Sequence, residues 1–225
     1  MLMKFSKYLV VMSVFTTGLV LAPASGAWPS LSGLMGHKSS SNADLGASQQ
    51  ALITDFVGSQ REVLQAQALL ERAYGFKDKA ELLQAQQKAL SSGPVDENSL
   101  KKTVELSRSA NKQIAAEQAK QGALTSQGKA AYTASLPHFA DGVIGTAKTV
   151  TAALSFASSA ESGGGGLAGM VSGADKLKVG LYIAKVTPAY SKELYSVFKK
   201  TVMVGQKNGV TIPANATNAL GSLTP

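Results

Sequence analysis

The sequence contains no cysteine in its 225 residues. This absence excludes disulfide bonds, thiolate metal sites and thiol nucleophiles. It also removes the residue to which the lipid of a lipoprotein is attached, so we do not expect a lipid anchor. A fold built from this chain must be stabilised by packing and hydrogen bonds alone, which a domain-sized chain can supply.

Residues that bind metals are scarce. The two histidines, His37 and His138, are far apart in the sequence, and Asp141 is the acidic residue at ligand spacing from His138. A zinc site would need at least one more protein ligand. Because His138 and Asp141 are three positions apart, we interpret them as a polar pair on one helix face. The sequence predicts no metal site and no cofactor.

Acidic residues are outnumbered by basic ones and do not form catalytic pairs. Glu62, Glu71, Glu81 and Glu105 fall next to lysines on predicted exposed helix faces. Matches to Ser-x-x-Lys occur without the companion motifs of serine acyltransferases. The match of residues 164–169 to the dinucleotide-binding glycine pattern lacks the preceding strand that this pattern requires. We therefore predict no catalytic residues and a protein that is not an enzyme.

Long apolar runs are absent except at the start of the chain. Two lysines precede the apolar run at residues 8–21, and Ser25 and Ala27 then provide small residues at the −3 and −1 positions of a cleavage site. The run is about 14 residues long, shorter than the roughly 20 needed to span a bilayer. We therefore predict a signal peptide at residues 1–27 and a periplasmic or secreted mature protein.

Aromatic residues make up 6% of the chain, and its single tryptophan, Trp28, would begin the mature protein. Residues 28–42 are rich in serine and glycine, which predicts a flexible N-terminal arm. An apolar side chain at the tip of such an arm is a candidate docking anchor for a partner. The alternative is that the arm folds back on the body of the protein and hides its apolar surface from water.

Helical periodicity dominates the middle of the chain. Asp44 is a candidate helix N-cap, Gly75 is a candidate helix stop, and Asp96 opens a further helix. Strand-like alternation is absent except for a fragment at residues 210–212. The sequence therefore predicts an all-α helical bundle domain at residues 43–209 and a loose C-terminal tail at residues 210–225. Apolar residues at spacings of four and seven mark the buried face of its first helix: Leu52, Phe56, Val63 and Leu70.

Two heptad stripes lie on either side of a glycine-rich turn. One stripe runs from Tyr132 to Ala157 and the other from Met170 to Ala184, and both alternate spacings of three and four. Joined by residues 161–166, they predict an elongated antiparallel helical bundle with a long C-terminal helical hairpin. Pro137 and Pro188 each predict either the start of a helix or a kink within one.

Basic charge is concentrated near the C-terminus. The net charge of +8 falls to +6 without the two lysines of the signal peptide, and residues 175–207 hold seven lysines against two acidic residues. On one helix, lysines spaced seven apart would form a basic ridge about 31 Å long. Such a ridge attracts anionic partners, and the alternative is a solvated face that keeps the protein dispersed. The candidate binding residues are Lys178, Lys185, Lys192 and Lys199 at heptad spacing, followed by Lys200.

These features favour an exported, non-enzymatic helical bundle of the bacterial envelope that acts by binding, as an adaptor, a chaperone or an assembly component. Its expected partner is a protein or an anionic envelope component, with no specific nucleic acid, and oligomerisation is left open. The alternative is a membrane-active protein that adsorbs to anionic lipid through its lysines. Charges within residues 167–186 disfavour a spanning hairpin but allow this peripheral membrane contact.

Overall fold

The computed structural model describes residues 42–120, 122–163 and 167–223, and every regular element within them is an α-helix. The all-α class predicted from the sequence is therefore confirmed. The predicted signal peptide, nearly all of the predicted arm and the glycines at 164–166 lie outside the described residues. The six helices are α1 (Asn42–Ala73), α2 (Lys77–Ser92), α3 (Glu97–Ala119), α4 (Ser126–Gly163), α5 (Leu167–Lys207) and α6 (Ala214–Ser222).

The ends of the helices follow local sequence signals. Asp96 caps α3, because its carboxylate accepts the backbone N–H of Ser99 at 2.7 Å while the Ser99 hydroxyl accepts the N–H of Asp96. This reciprocal pair satisfies two N–H groups that a helix start leaves unbonded. Gly75 after α1 and Gly209 after α5 have φ angles of +89° and +69°, a left-handed conformation that glycine adopts without strain.

Pro137 and Pro188 lie inside α4 and α5, so neither residue starts a new helix. A proline within a helix lacks the N–H that would bond to the carbonyl one turn earlier. Beside each proline a hydroxyl bonds to a nearby backbone carbonyl, from Ser135 to Tyr132 and from Thr187 to Ile183. The helix continues past both prolines.

The first five helices alternate in direction, so α1, α3 and α5 run one way and α2 and α4 run the other. Most of the apolar core lies between α1, α4 and α5, where Phe56, Leu64, Phe139, Leu194 and Phe198 are fully buried. The contacts that fix the directions are Gln49–Gly180 and Gln60–Tyr190 (α1 with α5), Ala73–Gly128 and Ser59–Gly145 (α1 with α4), Arg61–Gln87 and Arg72–Gln84 (α1 with α2), and Ser107–Tyr190 and Gln118–Thr201 (α3 with α5).

The heptad stripe predicted for α4 describes only the first half of its buried face. The stripe position Leu154 is 56% exposed, whereas Thr146 and Thr149 are buried. These threonines can be buried because their hydroxyls bond to carbonyls of their own helix, at Gly142 and Gly145. Beyond these threonines, Ala153, Phe156 and Ala160 continue the buried face, so that it lies one position before the predicted stripe. In this arrangement α4 packs most extensively against α1 rather than against α5.

The segment after α5 differs from the loose tail that its composition predicts. Residues 210–212 form no strand, and α6 follows Pro213, whose fixed φ of −68° suits the residue before a helix. Ala216 and Ala219 on α6 are fully buried, and Val210 is nearly so. This packing against the bundle holds the segment in place. Within the described residues, no helix combines the length and the hydropathy that a bilayer-spanning segment needs.

Candidate functional site

Four lysines at heptad spacing lie along one uninterrupted helix. We call Lys178, Lys185, Lys192 and Lys199 the lysine ridge, and all four side chains are exposed on α5. Because α5 continues through Pro188, the ridge spans about 31 Å at 1.5 Å per residue. Lys200 is also exposed, but its Nζ donates to the carbonyl of Ala115 at 3.2 Å and so ties α5 to α3.

The N-terminal half of the ridge borders a groove of about 660 Å³ between α3 and α5. Lys178 and Lys185 form one side of the groove, and Lys101 and Arg108 from α3 form the other. The ammonium of Lys101 lies 5.8 Å from the centre of the Tyr182 ring and 2.6 Å from the carboxylate of Glu97. The basic side of the groove is the one formed by α5, since Glu97 and Glu105 lie beside Lys101 and Arg108 on the α3 side. Leu181, Val186 and Ala189 provide apolar lining.

Arg108 joins α3 to α5 at the end of this groove that lies toward the C-termini of the two helices. Its Nε and a terminal nitrogen donate to the two carboxylate oxygens of Glu193 at 2.8 and 3.0 Å. The same guanidinium lies 5.7 Å from the centre of the Tyr190 ring. The carboxylate raises the pKa of Arg108, so the guanidinium stays charged. Arg108 is thus committed to this pair.

A buried polar network links α1, α3 and α5 beneath the groove. The Tyr190 hydroxyl donates to Oε1 of Gln60 at 2.9 Å and lies 2.6 Å from the Ser107 hydroxyl. The Gln67 amide nitrogen donates to the Ser107 hydroxyl at 2.8 Å and to Oδ1 of Asn111 at 2.7 Å. Burial raises the pKa of Tyr190, so this phenol remains a hydrogen-bond donor.

The network continues toward the far end of the bundle. The Tyr132 hydroxyl of α4 donates to the carbonyl of Thr201 at 2.8 Å, and the Gln118 amide donates to the Thr201 hydroxyl at 2.9 Å. The Tyr74 ring packs edge-on against Tyr132, with centroids 6.1 Å apart. We call the whole set the polar seam: Gln60, Gln67, Glu71 and Tyr74 of α1, Ser107, Asn111 and Gln118 of α3, Tyr132 of α4, and Tyr190 and Thr201 of α5.

Glu71 corrects a prediction made from the sequence, because it is 1% exposed rather than surface-facing. Neither of its carboxylate oxygens has a hydrogen-bond partner in the described part of the chain. Burial raises the pKa of Glu71 to about 7, which Lys79 opposes and Glu117 reinforces. The signal was present in the sequence, since Gln60, Gln67, Glu71 and Tyr74 follow spacings of seven, four and three along one helix face.

The remaining candidates do not form a site. His138 does not pair with Asp141 but with Glu62 of α1, whose carboxylate oxygen lies 2.7 Å from Nδ1. Across residues 42–120, 122–163 and 167–223, no three histidine, cysteine or acidic side chains are grouped so that they could hold a metal ion. Trp28, the predicted docking anchor, lies outside the described residues. Comparison with protein-family models, with curated proteins and with solved structures gives no match.

Proposed function

We propose that this chain is an exported, non-enzymatic binding protein of the bacterial envelope that contacts an anionic partner through the lysine ridge. The observation that supports the proposal most strongly is the exposure of all four ridge lysines on the single helix α5. Aligned positive charges attract an anionic surface and raise the rate of encounter. The adjoining groove supplies apolar contacts to the same partner.

The alternative, adsorption to anionic lipid, is less well supported. A surface-bound helix needs a wide apolar face beside its basic residues. In the described part of the chain the strongly exposed large apolar side chains, Leu82, Leu154 and Met203, lie on α2, α4 and α5. Their dispersal leaves no continuous apolar face beside the ridge, so we favour a partner recognised by charge and by the groove.

The test replaces the four ridge lysines with glutamate and measures sedimentation of the mature protein with a bacterial envelope fraction. We expect binding to weaken by roughly tenfold or more, with an unchanged far-UV circular dichroism spectrum. We also expect binding by the unaltered protein to fall as salt rises from about 0.05 to 0.3 M, because ions screen exposed charges. Equal binding by the ridge variant would refute the proposal.

The matched control places the same charge change elsewhere. Lys77 and Lys88 on α2, and Lys102 and Lys112 on α3, are also exposed, and their replacement by glutamate should leave binding intact. Equal loss in both quadruple variants would show an effect of net charge alone and would contradict a role for the ridge. Protease treatment of the envelope fraction separates a protein partner from lipid or polysaccharide. Dye release from phosphatidylglycerol vesicles would support the lipid alternative.

A further inference from the structure

The unpartnered polar atoms of the described chain are concentrated in one place. Seven buried side-chain atoms lack a hydrogen-bond partner there, and all of them belong to the polar seam. An unpaired buried polar group destabilises the closed state, and water would satisfy it if the seam opened. The seven atoms without a partner are Nε2 of Gln60, Oε1 of Gln67, both carboxylate oxygens of Glu71, the Tyr74 hydroxyl, Nδ2 of Asn111 and Oε1 of Gln118.

The apolar attachment of α3 to the rest of the bundle is small. Half of the eight buried residues of α3 are polar, and the apolar half consists of Leu100, Val104, Ala110 and Ile114. The buried residues of α2 are Ala80, Leu83 and Leu90, and α2 packs far more extensively against α1 than against α3. By contrast, α1, α4 and α5 share the large aromatic and aliphatic core, so that this three-helix core does not depend on α3.

Helix α3 also has a connection at each end that can act as a hinge. Residues 93–96, which belong to no helix, join α2 to α3. At the other end, the irregular segment that includes residues 122–125 leads from α3 to α4. Movement at these two points would carry α3 away while α2 stays packed against α1, and it would break the hydrogen bond from Gln86 of α2 to Thr103 of α3.

We propose that α3 is a detachable arm, which separates from α1 and α5 along the polar seam when the Glu71 carboxyl loses its proton. The groups that face Glu71 are Lys79 of α2 and Glu117 of α3. The neighbouring part of the seam carries the neutral phenols of Tyr74 and Tyr132 and, from α5, the uncharged Thr201. A carboxylate buried without a partner is better accommodated in the open arm, where water reaches it.

The direction of the pH dependence follows from the two states. An exposed Glu71 has its ordinary pKa of 4.5, whereas in the closed seam its pKa is about 7. At a pH between these two pKa values, the Glu71 carboxyl is protonated when the arm is closed and ionised when the arm is open. The equilibrium therefore shifts toward the open arm by roughly tenfold per pH unit in this range and levels off above it.

Hydrogen exchange tests this device on the whole mature protein at about pH 5 and about pH 8, after correction for chemical exchange rates. We expect opening of α3 to increase by roughly tenfold or more, while α4 keeps its protection. In Glu71→Gln the increase should disappear, because the amide cannot ionise. Glu105→Gln, which changes an exposed carboxyl on α3, should behave like the unaltered protein. Simultaneous loss of protection in α3 and α4, or an unchanged response in Glu71→Gln, would overturn the proposal.

A cross-link provides an independent measurement that does not depend on altering Glu71. The chain has no native cysteine, so Arg108→Cys with Glu193→Cys introduces a single reactive pair across α3 and α5. Joining the two thiols with a short bismaleimide should abolish the pH-dependent exchange of α3, and the uncross-linked double variant should retain it. Persistence of the full pH response after cross-linking would contradict a moving arm. Because none of these changes touches the lysine ridge, the result is separate from that of the proposed binding function.

Discussion

Gly142 of α4 lies directly against Val63 of α1. A Cβ added at Gly142 would come within 2.6 Å of Cγ2 of Val63 and within 2.9 Å of its backbone nitrogen. Val63 is itself fully buried, so the contact cannot be relieved by turning a side chain into solvent. The absence of a side chain at Gly142 therefore permits the close approach of α1 and α4.

We predict that Gly142→Ala lowers the free energy of unfolding by about 1–3 kcal/mol, because overpacking forces the backbones apart. Gly58→Ala on α1 is the matched control, since an added Cβ there meets nothing within 4 Å. Alanine favours helix over glycine, so this control should raise stability by about 0.5–1 kcal/mol. Urea denaturation of both variants measures the difference. Equal effects of the two substitutions would contradict the role given to Gly142.

Local signals allowed much of the fold to be predicted from the sequence. Asp96 and Gly75 each determine a helix boundary through their own backbone geometry or hydrogen bonds, which requires no knowledge of the partner helices. Heptad spacing likewise placed the ridge lysines on one face of α5. Their exposure on a helix unbroken at Pro188 required the structure, because a proline permits either a helix start or an internal position.

Features that depend on pairing between distant helices could not be predicted in the same way. The burial of Thr146 and Thr149 depends on contact between α4 and α1, and that of Glu71 depends on how α3 covers α1. Polar residues were assigned to the surface because a polar group usually costs free energy when buried. The polar seam was missed for this reason, although its α1 members share one helix face.

Tyr190 provides a test of how strongly the polar seam holds α3. Tyr190→Phe removes the hydroxyl that contacts Gln60 and Ser107 and leaves both of those groups short of a partner. We predict a loss of about 1–3 kcal/mol in the free energy of unfolding, together with faster hydrogen exchange in α3. Tyr195→Phe, at a half-buried position of the same helix, is the control and should change stability by less than about 0.5 kcal/mol. A Tyr190→Phe variant as stable as this control would show that the network contributes little.

The Arg108–Glu193 pair should contribute less than its geometry suggests. Its side chains are 36% and 45% exposed, so water and salt screen the attraction between them. A double-mutant cycle with Arg108→Ala and Glu193→Ala should give a coupling energy of about 0.5–1 kcal/mol that decreases with added salt. A coupling energy several times larger, or one insensitive to salt, would mean that the pair behaves as a buried one.

Glu71 should make the stability of the protein fall as the pH rises. Its pKa is raised from 4.5 to about 7, so the folded chain holds a proton between these values that the unfolded chain has already released. The free energy of unfolding therefore decreases from about pH 4.5 to about pH 7 and then levels off. Glu71→Gln removes this ionisation, and we expect it to be more stable than the unaltered protein at pH 8 by about 1–3 kcal/mol, with little difference at pH 5. Urea denaturation at the two pH values measures this gap, with Glu105→Gln as the exposed control. A gap that is the same at both pH values would show that the Glu71 carboxyl does not titrate between them.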